Sequence, residues 1–547
     1  MERSVETSFE LIFQEFMDRG LYKGLIFRPA STMERAEALD DYDSLSRQEL
    51  VEQLKSLKSQ LRAICPQAAT PASINQPSSP KASQALISSR INSQTKLKKK
   101  NLDFRRHSFR KIALKLSYVG SQHGGLAWQP EITPLSTVEA ELFKALLIAR
   151  LVEGDTIDAN FEDEKWRDSV DINKWGYSRA GRTDAGVSGS GQVVSLWVRS
   201  KLSEVDPAFG FRQAELEPVD NQSSSHSRSE SSGEELPYHT MLNSILPPSV
   251  RVLAWSPVSA DFDARFSCSA RHYKYFFSLY ECPYSPPLNI EAMRDAAQRF
   301  VGEHDFRNFC RLDPSKQIEN FHRRILSAQI NHVGLDHQTA SPPCHPRYPA
   351  MSNQTNPLYV FDLVGTAFLY NMVRHIVAVL FLVGSGHESP NIIDALLYTD
   401  PAKPKPDSFP LGMDAITTKP QYAHASSLPL VLYHCIYPHG SFSWNPTPEH
   451  SFRPLTANPF VTWSQDRLRA IISHHHISSY LHLVSSSTSS KTRPTSMVTQ
   501  PLGAADYRST NTYRALLTRP RLAPYAESNA QWWARTGARR LAKRQLL

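Results

Sequence analysis

Two Ser/Pro-rich stretches, 66–100 and 440–505, confine the part of this chain that can bury a core to residues 109–438. Segments of that composition carry too little apolar surface to offset the entropy of ordering them. Between them, hydrophobic periodicity switches repeatedly between strand and helix values. Ile112, Leu114, Leu116 and Tyr118 alternate, predicting a half-buried strand, and glycines at 120, 124 and 125 mark an irregular turn. Ser136 with Glu139 has the spacing of a capping box, opening a helix to Arg150 that buries Leu142, Ala145, Leu146 and Ala149. Strands are predicted at Val193 to Val198, Arg271 to Leu279, Tyr359 to Val364 and Val431 to Tyr437, and helices at Ile290 to Val301 and Phe368 to Val383. The Ser/Glu-rich stretch 211–236, the Pro/His-rich stretch 337–357 and the Pro/Lys loop 403–420 read as insertions. Strands and helices mix in both halves, 109–260 and 261–438, so the class is α+β. Each half makes an antiparallel sheet backed by helices, and the cleft between two such halves is a natural ligand site.

Ahead of this body, residues 1–44 lack strong periodicity and are expected to be poorly ordered. In the segment 45–65, Leu50, Leu54, Leu57, Leu61 and Ile64 follow coiled-coil spacing after the Ser46/Glu49 box. A helix over 46–64 is too short to stand alone and is expected to dock on a partner, such as a second copy of the chain, or on its own body. Residues 66–108 then form a flexible basic linker, and 439–505 are low-complexity.

Composition removes several classes of function. The longest apolar run, Ile376 to Val383, falls far short of a membrane span. Glu2, Glu6, Glu10, Glu15 and Asp18 argue against a signal or transit peptide. The six cysteines form no CxxC pair, and His474 to His476 sit in Ser-rich sequence without partner ligands, so no metal site is expected. Net charge is +8, but its placement matters more. In the tail 506–547 and the few residues before it, from Pro501 on, nine basic residues face only Asp506 and Glu527. A second cluster runs from Lys96 to Lys111. Clustered cations attract a polyanion. A solvating tail, or an import signal at Lys96 to Lys100, fits the same charges.

The segment Gly176-Tyr177-Ser178-Arg179-Ala180-Gly181-Arg182-Thr183-Asp184-Ala185-Gly186-Val187-Ser188 surrounds one aspartate with arginines and glycines, just ahead of a strand. Glycines allow close approach of a substrate. Arg179 and Arg182 can supply phosphate or base contacts. An aspartate near cations stays ionised and can act as nucleophile or base. An Asx-turn aspartate with surface arginines is the plainer alternative.

Residues 181–188, Gly-Arg-Thr-Asp-Ala-Gly-Val-Ser, resemble the signature of the TruA-type tRNA pseudouridine synthases. Three more blocks resemble that family in order: Tyr118-Val119-Gly120 with Gly125, Ala127 and Gln129; Phe262 to Phe266 followed by Ala270-Arg271-His272-Tyr273-Lys274-Tyr275; and Gly365 to Arg374. The leucine-rich helix, the run Val379 to Gly384 and Tyr513-Arg514-Ala515-Leu516-Leu517 resemble the eukaryotic branch acting at tRNA positions 38 and 39. Departures are Ala185, where that branch often has lysine, Gly189, where it often has alanine, and His123 and Leu126 in the first turn.

The resemblance implies two ferredoxin-like (RRM-like) halves with antiparallel sheets around a central catalytic cleft, uridine-to-pseudouridine isomerisation, no cofactor, and the tRNA anticodon stem-loop as partner. It implies Asp184 as the catalytic carboxylate, with Tyr273 stacking on the target base, although Tyr273 also fits as a core residue of an aromatic strand. It pairs Arg374, in an otherwise apolar helix, with Asp184, which would hold the carboxylate ionised. Arg182 would help hold the flipped nucleotide, with Arg179 and Thr183 beside it as substrate-binding residues. A non-catalytic RNA-binding protein of the same fold and a sister synthase acting at positions 27 and 28 are the competing readings. The compartment is left open among cytoplasm, nucleus and mitochondrion.

Overall fold

The computed structural model describes residues 102–154, 164–216, 234–282, 286–333, 356–406, 414–446, 460–473, 476 and 498–540. All of them fall in one compact unit, Lys100–Leu547. The predicted helix at 46–64, most of the linker before it joins the body, and His474 and His475 lie outside the described residues.

The alternation at 112–118 folds as expected into β1 (Ser108–Tyr118). Its Ile112, Leu114, Leu116 and Tyr118 pack into one buried cluster with Leu142, Phe143 and Leu146 of α1 (Val138–Ile148). The cap of α1 differs from the expected box. The Thr137 hydroxyl accepts from the Ala140 N–H at 3.2 Å, and Glu139 turns into the core instead of back to the cap. After α1 come β2 (Ser178–Arg179), β3 (Ser188–Ser200), β4 (Phe211–Arg212), α2 (Tyr238–Asn243) and β5 (Val250–Pro257). The second half holds β6 (Ala270–Ser278), α3 (Ile290–Gln298), β7 (Gly302–Asp305), β8 (His322–His332), β9 (Leu358–Gly365), α4 (Met372–Gly384), α5 (Ile392–Leu397) and β10 (Leu430–Ile436). Then follow β11 (Asn445–Pro446), β12 (Val498–Gly503), β13 (Asp506–Thr510) and α6 (Tyr525–Trp532).

The mixed α+β class is the observed one, and the two half-sheets fuse edge to edge. Nine strands run in the order β11-β5-β1-β3-β10-β6-β9-β8-β7, with β2 and β4 added beside β3 and β1. Neighbours are antiparallel except β3 and β10, which pair in parallel at Ser188 and Gly189 and form the seam between halves. One apolar cluster lies wholly in the first half, and the other, built on α3, α4 and α5, also takes in Ala113, Ala180, Val187 and Val193 from across the seam. No helix among the described residues is long and apolar enough to cross a membrane.

Three spans differ from their sequence reading. The ends of the 211–236 stretch are tied into the sheet: Phe211 and Arg212 pair with β1, and the Glu235 carboxylate accepts from Arg110 at 2.9 Å. The end of the Pro/Lys loop turns inward, with Ile416 and Lys419 both buried, while residues 403–405 stay exposed. Residues 498–518, read partly as low-complexity and partly as a basic tail, form a hairpin and strap across the second half. Its apolar residues are too sparse to show a period, because the body supplies the other half of each contact. The Leu502 carbonyl accepts from Ser426 N–H at 2.7 Å. The Tyr513 hydroxyl and the Leu516 N–H both donate to Glu388 at 2.6 Å, and Leu516 is fully buried.

Candidate active site

Two strands shape the loop that carries the aspartate. Ser178 and Arg179 pair with Ser195 and Val194 of β3, and Ala180 N–H donates to the Val193 carbonyl at 2.8 Å, so residues 181–187 must turn back into the same strand. Val187 N–H donates to the Asp184 carbonyl at 3.1 Å to close that turn. Gly186 sits there at φ +83°, and a Cβ on it would lie 2.5 Å from the Ser427 hydroxyl, so only glycine fits. From the other side, Leu126 N–H donates to the Thr183 carbonyl at 3.1 Å. Gly125, at φ +103°, leaves room for that carbonyl. Thr183 and Tyr118 join hydroxyls at 2.8 Å, and the Gln192 amide donates to the Gly181 carbonyl at 2.8 Å. The loop is therefore held at four points by buried partners before any substrate arrives.

Asp184 is half-buried at the turn. Burial pushes its carboxyl above the usual range, and the guanidiniums of Arg374 and Arg311 pull it down without fully offsetting the burial. This differs from the expected direct pairing. The Nε of Arg374 donates to the Ala425 carbonyl at 2.7 Å, and its charge reaches Asp184 through space. Arg374 stands in the first turn of α4, which starts from Asn371 in the left-handed region at φ +55°. Arg311 hangs from the stretch after β7, where its backbone N–H donates to the Tyr370 carbonyl at 2.9 Å and its guanidinium lies 5.6 Å from the Tyr370 ring. Tyr273 is buried on β6, with its ring edge-on to Phe368 at 5.0 Å. Burial drives its phenol far above the ordinary range, and the Asp184 charge adds to that. Asp184, Tyr273 and Arg374 thus share one electrostatic neighbourhood, built from both halves of the sheet.

The other candidates divide. Arg179 is held by the fully buried Glu139, Nε to Oε1 2.8 Å, and Glu139 also accepts from the Tyr177 hydroxyl at 2.7 Å and the Trp128 N–H at 2.8 Å. Thr183 is engaged with Tyr118. Only Arg182 of the three is exposed. Sequence reasoning missed two residues. Arg271, in the block that carries Tyr273, donates to the carbonyls of Cys268, Thr366, Ala180 and Arg265 at 2.6–3.1 Å, binding three loops around the site. Its Arg-x-Tyr spacing from Tyr273 is the signal that could have found it. Arg311 belongs to no motif, and only the fold brings it near Asp184. Among the described residues no group of His, Cys, Asp and Glu is arranged to hold a metal ion. The arrangement offers one carboxyl balanced between burial and two cations, beside a buried phenol, with exposed Arg182 and Arg265 at the rim. That is suited to general base or nucleophilic work on a phosphate-bearing substrate.

Residues 296–438, which include Arg311 and Arg374, match the family described as tRNA pseudouridine synthase. The chain is 37% identical to the tRNA pseudouridine(38/39) synthase of Homo sapiens, over 62% of this chain and 57% of that protein. Against the enzyme of the same description in Saccharomyces cerevisiae it is 37% identical, over 63% and 62%. It therefore spans about three fifths of the length of these curated relatives. With a probable tRNA pseudouridine synthase of Caenorhabditis elegans it is 32% identical, over 69% of this chain and 80% of that protein. With that coverage, and with four ordered blocks converging on one carboxyl, this chain belongs to the tRNA pseudouridine synthase family.

Proposed function

We propose that this protein isomerises uridine to pseudouridine in the anticodon stem-loop of tRNA, at positions 38 and 39. The observation that carries the reading is Asp184: a half-buried carboxyl on a preformed loop, within the field of Arg374 and Arg311 and close enough for its charge to act on Tyr273. The relatives' printed descriptions support the positions. The reaction breaks the bond from C1′ to N1, turns the uracil, forms a bond from C1′ to C5, and loses the C5 proton while N1 takes one up. Atoms and electrons balance within the nucleotide, so no redox partner enters. Asp184 acts in its ionised form at the sugar–base junction. Tyr273 offers an aromatic face to the base, and Arg182 holds the extruded nucleotide. Extrusion costs a few kcal/mol, least where stacking is already interrupted, which favours a target at the edge of a stem.

The test is Asp184→Asn. Pseudouridine formation on tRNA, read by carbodiimide labelling, should disappear while tRNA affinity stays within a few-fold of wild type. An active variant removes Asp184 from the chemistry. A wild-type protein that binds tRNA but forms no pseudouridine makes the protein a non-catalytic RNA binder. Mapping of modified positions in a knockout decides 38 and 39 against 27 and 28.

A further inference from the structure

The two arginines that act on Asp184 come from different elements, α4 and the stretch after β7, and nothing in either element alone fixes their spacing. One buried side chain touches both. The ammonium of Lys419, 5% exposed, donates to the Cys310 carbonyl at 2.8 Å, next to Arg311. It also lies 2.9–3.1 Å from the ring nitrogens of His375, next to Arg374. The Tyr422 ring packs 4.8 Å from it. Six residues on, the Ala425 carbonyl takes the Nε of Arg374. The C-terminal strap clamps this segment from outside, Leu522 N–H donating to the Lys419 carbonyl at 2.9 Å and Gln421 N–H to Pro520 at 3.0 Å.

We propose that Lys419 is a positioning residue that sets Arg311 and Arg374 against Asp184. The inference deepens the catalytic reading of Asp184 and rests on it. Among the described residues the side-chain partners of Lys419 are a carbonyl and an imidazole, with no carboxylate. A buried ammonium without a counter-charge is costly, and an apolar residue of that volume would serve packing better. Its neighbours make it worse: Arg311 repels it, and Arg374 and His424 crowd His375 beside it. Burial brings the Lys419 ammonium down to about 7 and pushes the His375 imidazolium well below the ordinary range, so His375 is neutral and accepts from it. A buried polar side chain with no carboxylate partner, and with both ends of its bridge one residue from the two arginines, is accounted for by what it joins.

The test is Lys419→Met, read by ¹³C carboxyl titration of Asp184, whose signal is assigned by its loss in Asp184→Asn. With the bridge gone the arginines relax away, and Asp184 should bind its proton about tenfold more tightly. The same variant should lose about tenfold in kcat with KM for tRNA nearly unchanged, and its melting temperature should not fall. His375→Leu should act in the same direction, and the double variant should lose no more than either single. An Asp184 titration that superimposes on wild type in Lys419→Met, or in His375→Leu should the first not fold, overturns the proposal. The titration needs no turnover, so a wild type that makes no pseudouridine refutes the functional reading while this inference is still decided.

Discussion

At the scale of single residues, the ionisation of Asp184 has a consequence for stability. Its folded pKa is raised above the unfolded value of 3.8, so below 3.8 both states are protonated and the fold carries no cost. As pH rises from there through the folded pKa, the folded state holds more protons than the unfolded one, and stability declines. Above that window the cost is complete. Asp184→Asn should therefore melt higher than wild type at neutral pH, with the gain shrinking to nothing as pH falls below 3.8. Thermal melts across that range check it, and a wild type more stable at neutral pH would contradict the burial argument. Asp184 itself was legible in the sequence because arginines and glycines crowd it. Its raised pKa was not, because the opposing charges stand at 311 and 374 and the burial comes from both halves. Glu139 gives the same lesson in reverse. Its spacing from Ser136 suits a cap, but Trp128, Tyr177 and Arg179 all converge on it, and three charge-assisted hydrogen bonds outweigh one local bond.

At the scale of elements, the strap from β12 to α6 belongs to the fold and not to a loose tail. Leu516 sits in the second apolar cluster at 0% exposure. Leu516→Ala should cost about 2–5 kcal/mol, the range for emptying a buried leucine site. Chemical denaturation measures it, and a loss under about 0.5 kcal/mol, the scale of a surface substitution, would show that the strap is only draped over the surface. Truncation before β12 would remove the buried leucine and the Glu388 bonds together, so it would unfold the second half instead of isolating any RNA-binding role. Strands β1, β6 and β9 were legible because each alternates over much of its length, and helix α4 because so long an apolar run suits a helix buried on all sides. β8 was not. Its pairing with β9 slips between Ile325 and Ser327, which throws Ile325 and Ala328 out of strict alternation. The hairpin β12–β13 hides for a different reason, since Pro501 and Gly503 read as breakers. Gly503 is in fact pressed against Tyr275, where a Cβ would come within 2.1 Å of the phenol oxygen.

At the scale of the whole molecule, the basic balance has an address. Arg535, Arg539 and Arg540 are exposed beyond α6, with Glu527 the one acid between 525 and 540. If these face tRNA phosphates, reversing all three to glutamate should weaken binding and flatten the plot of log affinity against log salt by about 0.7–0.9 for each phosphate no longer neutralised. Filter binding at several ionic strengths reads the slope, and a parallel shift or none would leave the region without a role at the phosphate backbone. The mixing of strands and helices on both sides of 260 and 261 was visible in the sequence. That the halves share one sheet was not visible, because the parallel pairing of β3 with β10 joins residues more than two hundred positions apart. This shared ladder has a mechanical corollary. A body whose halves are laced together by backbone hydrogen bonds has no swivel between them, and jackknifing shut around a guest would tear the lacing. If the guest is the tRNA proposed above, accommodation falls to it: whichever nucleotide swings out of its stack most cheaply is the one that reaches Asp184.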